Sequence, residues 1–351
     1  MNKIYAIIGS IALSGVASAT EMDTLDRVQI DAASRASLNE QWLTTNIGGF
    51  VQAGWQYSNG GGLPSTNGFV IERARIELTG DLTDESMSYQ ISGEWADDTK
   101  TFDLVNANLT LRMFDFANIR FGRFVPTFYA GFVDNPTHLT TLNYSVSALT
   151  FGQGRGDGVE VYRTFGDWDV SAFYNNGFNR LQGDGENNSY AIGGSVRYWF
   201  AGDLSVSGGY AYNEPNTVNF IRGRGVVPTP AINNLTFGVE YADGPWDVSV
   251  DYITNDEGGQ LDNWSLVSTA AYQCMDDLQG FAQWEWGQYD GDLNLLTVGA
   301  NYAFNDWVTW TNSVGVSFSE LGSAFTTDNT GWRAGADRGQ WVARSVITFS
   351  F

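Results

Sequence analysis

The chain is poor in the residues that most chemistries need. Among 351 residues it has one cysteine, Cys274, and one histidine, His138. A lone cysteine excludes an intramolecular disulfide, and one of each is too few for a zinc centre with three or four protein ligands. General-base catalysis needs the base beside its nucleophile, and His138 falls in a long loop rather than on a strand face, so no enzyme is expected. Cys274 sits in a predicted turn with no electropositive setting to activate it. Of the 18 basic residues, Lys3 and Lys100 are the only lysines, and the net charge is −22. That balance argues against a nucleic-acid partner and against attraction to anionic lipid surfaces. After residue 20 no apolar run approaches the ~18 residues that a membrane helix requires.

What is present is aromatic and glycine-rich: 15% Phe, Trp and Tyr, with 41 glycines. Residues 1–19 read as a secretory signal peptide, with Lys3, an apolar run from Ile4 to Val16, and Ala17-Ser18-Ala19 at the cleavage site. Residues 20–45 form a leader of different texture. Leu25, Val28, Ala32 and Leu38 fall near helical spacing there, as in a short periplasmic helix or flexible segment.

Over 46–351 the pattern becomes apolar–polar alternation in segments of about ten residues, broken by turns, which is the signature of a transmembrane antiparallel β-barrel. Strands are predicted near 47–58, 69–80, 85–96, 102–113, 117–125, 157–165, 168–176 and 189–200. A second half follows near 203–213, 234–242, 246–254, 264–273, 279–289, 293–304, 307–319 and 341–351, about 16 in all. Short connections such as Phe165-Gly166-Asp167 and Asp243-Gly244-Pro245 alternate with long ones near 59–68, 126–156, 177–188, 214–233, 255–263 and 320–340. A soluble β-sandwich would share the composition but has no reason to keep that alternation. Aromatics crowd the short-turn ends, among them Tyr198, Trp199, Phe200, Tyr241, Trp246, Tyr272, Tyr302, Phe304 and Trp307. A girdle at the membrane interface accounts for them.

The strand faces differ. Leu235, Phe237, Val239 and Tyr241 alternate with Thr236, Gly238 and Glu240; Trp246, Val248, Val250 and Tyr252 alternate with Asp247, Ser249 and Asp251. The polar set predicts a water-filled lumen, because carboxylates in a packed interior would be left unpaired. In the second strand Arg73, Arg75 and Glu77 share the lumen face, and Val70, Ala74, Ile76 and Leu78 the lipid face. Glu72 falls on lipid parity, tolerable only near the aqueous rim. Arg112, Arg120 and Arg123 in strands four and five come close to the first two arginines, since neighbouring strands lie ~5 Å apart. Guanidinium clusters of this kind suit carboxylates, phosphates or sulfates. Glu77, Glu94, Glu160, Glu240, Asp251 and Glu285 also have lumen parity, so an arginine–carboxylate network that shapes the pore without selecting is the alternative.

Two stretches carry a family resemblance. Gly68-Phe69-Val70-Ile71-Glu72-Arg73-Ala74-Arg75-Ile76 and Ile119-Arg120-Phe121-Gly122-Arg123-Phe124-Val125-Pro126 resemble the arginine-rich second strand and the third-loop entry of the phosphate-selective porin O/P family. The resemblance implies a 16-stranded homotrimer whose third loop, here about 126–156, folds into the lumen. That loop holds Phe128, Tyr129, Asp134 and His138. Phe351 as last residue resembles the signal by which the barrel-assembly machinery recognises outer-membrane proteins. Glu72, Arg123 and Val125 depart from the family pattern, and a mature chain with one lysine has no lysine ladder.

The expectation is a bacterial outer-membrane porin, surrounded by lipid and lipopolysaccharide, passing small hydrophilic solutes and preferring anions. Its constriction would use Arg73, Arg75, Arg112, Arg120, Arg123 and Glu77. A carbohydrate porin with an aromatic slide (Tyr129, Phe132), or a surface barrel closed by loops 214–233 and 320–340, are the alternatives. No cofactor is expected; calcium or magnesium is what the loop acids Asp97-Asp98, Asp184, Glu186 and Asp256-Glu257 would take, although no EF-hand spacing exists. Gly152 to Gly158 lacks the strand–helix setting of a phosphate-binding loop.

Overall fold

In hydrocarbon every backbone polar group must be paired within the protein, so strands with one apolar face have to close into a barrel. The structure, a computed structural model, describes residues 44–82, 85–96, 101–112, 114, 116–132, 135–152, 154–177, 190–200, 203–214, 219–220, 226–227, 231–257, 263–289, 291–323, 325, 327 and 330–351. The expected signal peptide, most of the expected leader, Lys100, Asp97, Asp98, Asp134, Asp184 and Glu186 lie outside these residues.

The first nine strands are β1 (Asn46–Asn59), β2 (Thr66–Asp81), β3 (Met87–Ala96), β4 (Thr101–Leu111), β5 (Asn118–Phe124), β6 (Gly156–Phe165), β7 (Trp168–Asn175), β8 (Ala191–Phe200) and β9 (Leu204–Asn213). After β9 a small ladder, β10 (Asn219–Phe220) with β11 (Val226–Val227), lies in the long connection. The wall resumes with β12 (Ile232–Asp243), β13 (Trp246–Glu257), β14 (Trp264–Met275), β15 (Leu278–Gln288), β16 (Asp292–Asn305), β17 (Val308–Ser317) and β18 (Trp341–Ser350). Each wall strand pairs antiparallel with its neighbours, and β1 closes on β18, giving a sealed 16-stranded barrel. At the seam Phe50 faces Ser350, and Gly49 exchanges backbone hydrogen bonds with Phe351 (3.1 and 3.0 Å).

The alternation sorts as expected over most of the wall: Leu235, Phe237, Tyr241, Trp246 and Val250 are exposed, while Thr236 and Asp251 are buried inside. The second strand differs. Gln52 of β1 pairs with Arg73 and Ala53 with Ile71, so Glu72 is the extra residue of a β-bulge. A bulge shifts parity by one residue. Phe69 (90% exposed) and Ile71 therefore point outward, and Glu72 and Arg73 both turn inward. Glu72 is a lumen residue rather than a lipid-facing one, and Val70 shares its side of the strand.

Outward aromatics form a band at each end. At the short-turn end Trp168 meets Tyr198 (4.6 Å) and Trp246 meets Tyr272 (4.7 Å). At the other end Tyr57 meets Trp341 (4.8 Å) and Trp264 meets Trp286 (5.0 Å). Between them lie exposed aliphatics such as Val196, Val298 and Val314. This is the girdle–hydrocarbon–girdle profile of a membrane barrel; the sequence pattern exposed only its short-turn half.

The lumen is not wholly wet. Ile253, Leu293, Leu295 and Val342 face inward and pack with Phe128, Tyr144, Phe151, Leu321, Phe325 and Trp332. The loop after β5 and the connection before β18 thus fold inside the barrel and bury one another's apolar side chains. The expectation of a lumen lined only by small, polar and charged groups is corrected accordingly.

Candidate functional site

Just before the long loop between β5 and β6, Gly122 (φ +114°) holds a backbone conformation within β5 that a side chain would block; an added Cβ would stand 2.1 Å from the Ala107 carbonyl. The loop's path is fixed by wall side chains. The Thr127 carbonyl accepts from Ser171 Oγ and Ser195 Oγ (both 2.6 Å), and the Phe128 carbonyl accepts from Thr236 Oγ1 (3.2 Å). Farther on, Asn301 Nδ2 donates to the Thr140 carbonyl (2.8 Å). The loop thus crosses from one side of the lumen to the other.

A short helix, α1 (Val146–Phe151), begins at Ser145, whose hydroxyl caps the Ala148 N–H. Its first turn sits on Glu285 of β15: the Ser147 N–H and Oγ both donate to Glu285 Oε2 at 3.0 Å. Ser265 Oγ joins them by donating to Ser147 Oγ. Two hydrogen bonds from one residue onto a single carboxylate oxygen make Glu285 an anchor of the returning half of the loop.

The loop brings two side chains to the arginines of β2. Arg73 donates from Nη2 to Asn143 Oδ1 (2.6 Å), and its guanidinium lies 5.7 Å from the Tyr144 ring centre. Arg75 forks onto Glu94 of β3 (Nε and Nη2, each 2.8 Å). Arg73, Arg75 and Arg155 all lie near enough to Glu94 and to Tyr144 to act on their charge. Burial nevertheless pushes the Tyr144 phenol above its ordinary value and keeps it protonated.

The remaining expected residues are placed as follows. Arg120 pairs with the fully buried Glu160 and donates to the Val125 carbonyl (3.0 Å), so it stitches the loop's start to the wall. Arg123 reaches Asp157 at 3.2 Å. Glu77 accepts from Gln90 Nε2 (2.9 Å). Arg112 pairs with Asp81 (2.9 Å) at the short-turn rim, where both side chains are more than 40% exposed, well apart from Arg73. Phe128 and Tyr129 are buried in the loop's own packing, with Phe128 edge-on to Phe173 (6.4 Å). Burial, with Asp251 and Glu285 nearby, holds the Tyr129 phenol well above its usual range. Phe132 stacks on Tyr144 (4.7 Å). These rings are packing groups, and an exposed aromatic slide is not formed by them. His138 belongs to the 3₁₀ turn Pro136–His138.

Sequence reasoning passed over Asn143, Ser147 with Glu285, and the pair of Glu72 with Arg344 of β18. Lumen parity flagged Glu285, but which loop atom would meet it depends on the loop's path, and the pairing of Glu72 depends on the bulge in β2. Arg197 with Glu240 (3.0 Å) adds a further pair on the far wall.

The comparisons agree with this geometry. The structure is similar to an anion-selective porin from Comamonas acidovorans (18% identity, TM-score 0.66, covering 88% of this chain and 100% of that one). It is likewise similar to in-vitro folded OmpT of Vibrio cholerae in its trimer form (17%, 0.62, 88% and 99%) and to Salmonella typhi OmpF in complex with daunomycin (13%, 0.66, 88% and 97%). No curated protein matches. The Gram-negative porin family model matches residues 6–339. A closed 16-stranded barrel with girdles at both ends and a loop folded across its lumen points to a channel of the outer membrane, and the chain belongs to the Gram-negative porin family.

Proposed function

We propose that this porin passes small hydrophilic solutes with a preference for anions, set by Arg73 where the loop narrows the lumen. The observation that carries the reading is the identity of Arg73's partners. Arg75, Arg112, Arg120, Arg123, Arg197 and Arg344 each face a carboxylate. Arg73 is held instead by the neutral amide of Asn143 and the ring of Tyr144. Arg73 acts on Glu94 at longer range, but without an ion-pair contact among the described residues it keeps more of its field for a passing ion than the paired arginines do. Guanidinium forks suit carboxylate, sulfate and phosphate oxygens, so phosphate falls within the anions such a site favours; a site of this make-up has no lysine ladder to single it out.

The same reading makes the functional unit a homotrimer, in line with the trimer form of the Vibrio cholerae relative. It assigns Phe351, half-exposed on the outer face beside Phe349 (6.0 Å), to recognition by the assembly machinery, and the outer rim to lipopolysaccharide. The test is the zero-current potential of purified protein in a planar bilayer under a potassium chloride gradient. Three-step closure and a potential of the sign that chloride permeation gives are expected. A cation-selective potential would overturn the preference, and single-step closure the trimer.

A further inference from the structure

Beneath the crossing loop, on the short-turn side, a cavity of about 300 Å³ opens between loop residues 136–142 and the wall of β14–β18 and β1. Its chemistry is unlike that around Arg73. No arginine or lysine lines it, and its one carboxylate, Asp277, accepts from the Tyr302 hydroxyl. The wall presents amides and hydroxyls that are already oriented. Thr311 Oγ1 donates to Asn301 Oδ1 (2.8 Å), and Asn301 Nδ2 donates to Gln279 Oε1 (3.0 Å). Gln52 Nε2 donates to Thr348 Oγ1 (3.2 Å). Among the described residues these bonds leave the Gln279 amide N–H groups and the Gln52 carbonyl without a partner. The loop supplies the opposite side, with Pro136, Leu139 and Leu142 as its apolar surface and Thr137 and Thr141 beside them.

We propose that this cavity binds a neutral polyhydroxylated solute, a pyranose sugar. Such a ring has an apolar C–H face for Leu139 and Leu142, and an edge of hydroxyls that both donate and accept, for Gln279 and Gln52. An anion would meet no positive charge there. An apolar solute would leave the amides unpaired, and a site built to bond hydroxyls rejects a ligand without them. The volume lies at the lower end of the range of small-ligand sites, ~300–1,000 Å³. Thr141 and Leu142 also border a second cavity on the long-loop side, lined by Thr297, Ser313, Thr330 and Trp332. The two charged residues of that cavity are engaged, Glu285 by Ser147 and Arg344 by Glu72. Neutral hydrogen-bonding groups therefore continue along this wall towards both mouths. Gln52 is the register partner of Arg73, but the other wall residues of the site lie on β14 to β18 and their turns, so the site does not depend on the anion preference.

The experiment is block of the ion current by glucose and by cellobiose, added at the short-turn side of the full-length protein in a planar bilayer, with a polyethylene glycol of matching size as comparison. The expected result is saturable block by the sugars, against a decrease proportional to concentration for the polymer. Gln279→Met and Gln52→Met, each read against its own sugar-free current, should weaken the block about tenfold. Sugar block that rises linearly like the polymer's, or saturable block that both variants leave unchanged, would overturn the proposal.

Discussion

Arg73 of the barrel wall and Asn143 of the crossing loop meet at 2.6 Å, so an inward-facing arginine with no ion-pair contact among the described residues is held by the loop that crosses the lumen. Position and charge are thereby separated. The loop fixes where the guanidinium sits, and the lack of an ion-pair contact leaves it more of its field than the paired arginines keep.

Release of the loop should be seen in Glu285→Ala. This change removes the acceptor of both Ser147 bonds, at about 0.5–1.5 kcal/mol each. Larger and noisier single-channel conductance is expected. Ser147→Ala, which keeps the backbone N–H bond, should give a smaller change in the same recording. Equal conductance in wild type and both variants would mean that Glu285 does not hold the loop.

The β-bulge predicts a coupling between strands distant in sequence. Glu72→Ala strands the buried Arg344 guanidinium, a loss of about 3–5 kcal/mol. The double variant Glu72→Met with Arg344→Met should recover much of that loss, because no charge is left uncompensated. Denaturant midpoints of the folded barrel in detergent provide the comparison. A double variant less stable than the single one would contradict it.

Glycine at the seam is a requirement of closure. A Cβ at Gly49 would stand 2.2 Å from the Arg75 carbonyl and 2.8 Å from the Phe351 ring. Gly49→Val should therefore lose the heat-modifiable band of the folded barrel on a gel. Gly68→Ala, where nothing lies within 4 Å of the new atom, should keep it.

The strands were legible because two signals coincide: alternation by twos, and Asp, Asn or Gly at each short turn. Sixteen predicted segments match the sixteen wall strands to within a few residues. The inward turn of Glu72 was not legible, since a bulge adds one residue without changing composition. Ile253, Leu293 and Leu295 were equally opaque. An apolar side chain does not reveal whether it meets lipid or a folded loop, and these three meet the loop. For the arginines, parity placed Arg73 and Arg75 correctly on the inner face. Their partners, Asn143 and Glu94, come from a loop and from a neighbouring strand in a register that only the folded chain sets.

The most direct measurement compares zero-current potentials of wild type, Arg73→Lys and Arg73→Gln in the same potassium chloride gradient. Wild type and the lysine variant are expected to give the sign of chloride permeation, and the glutamine variant a potential shifted towards zero or past it. An unchanged potential in Arg73→Gln would remove Arg73 as the selecting charge.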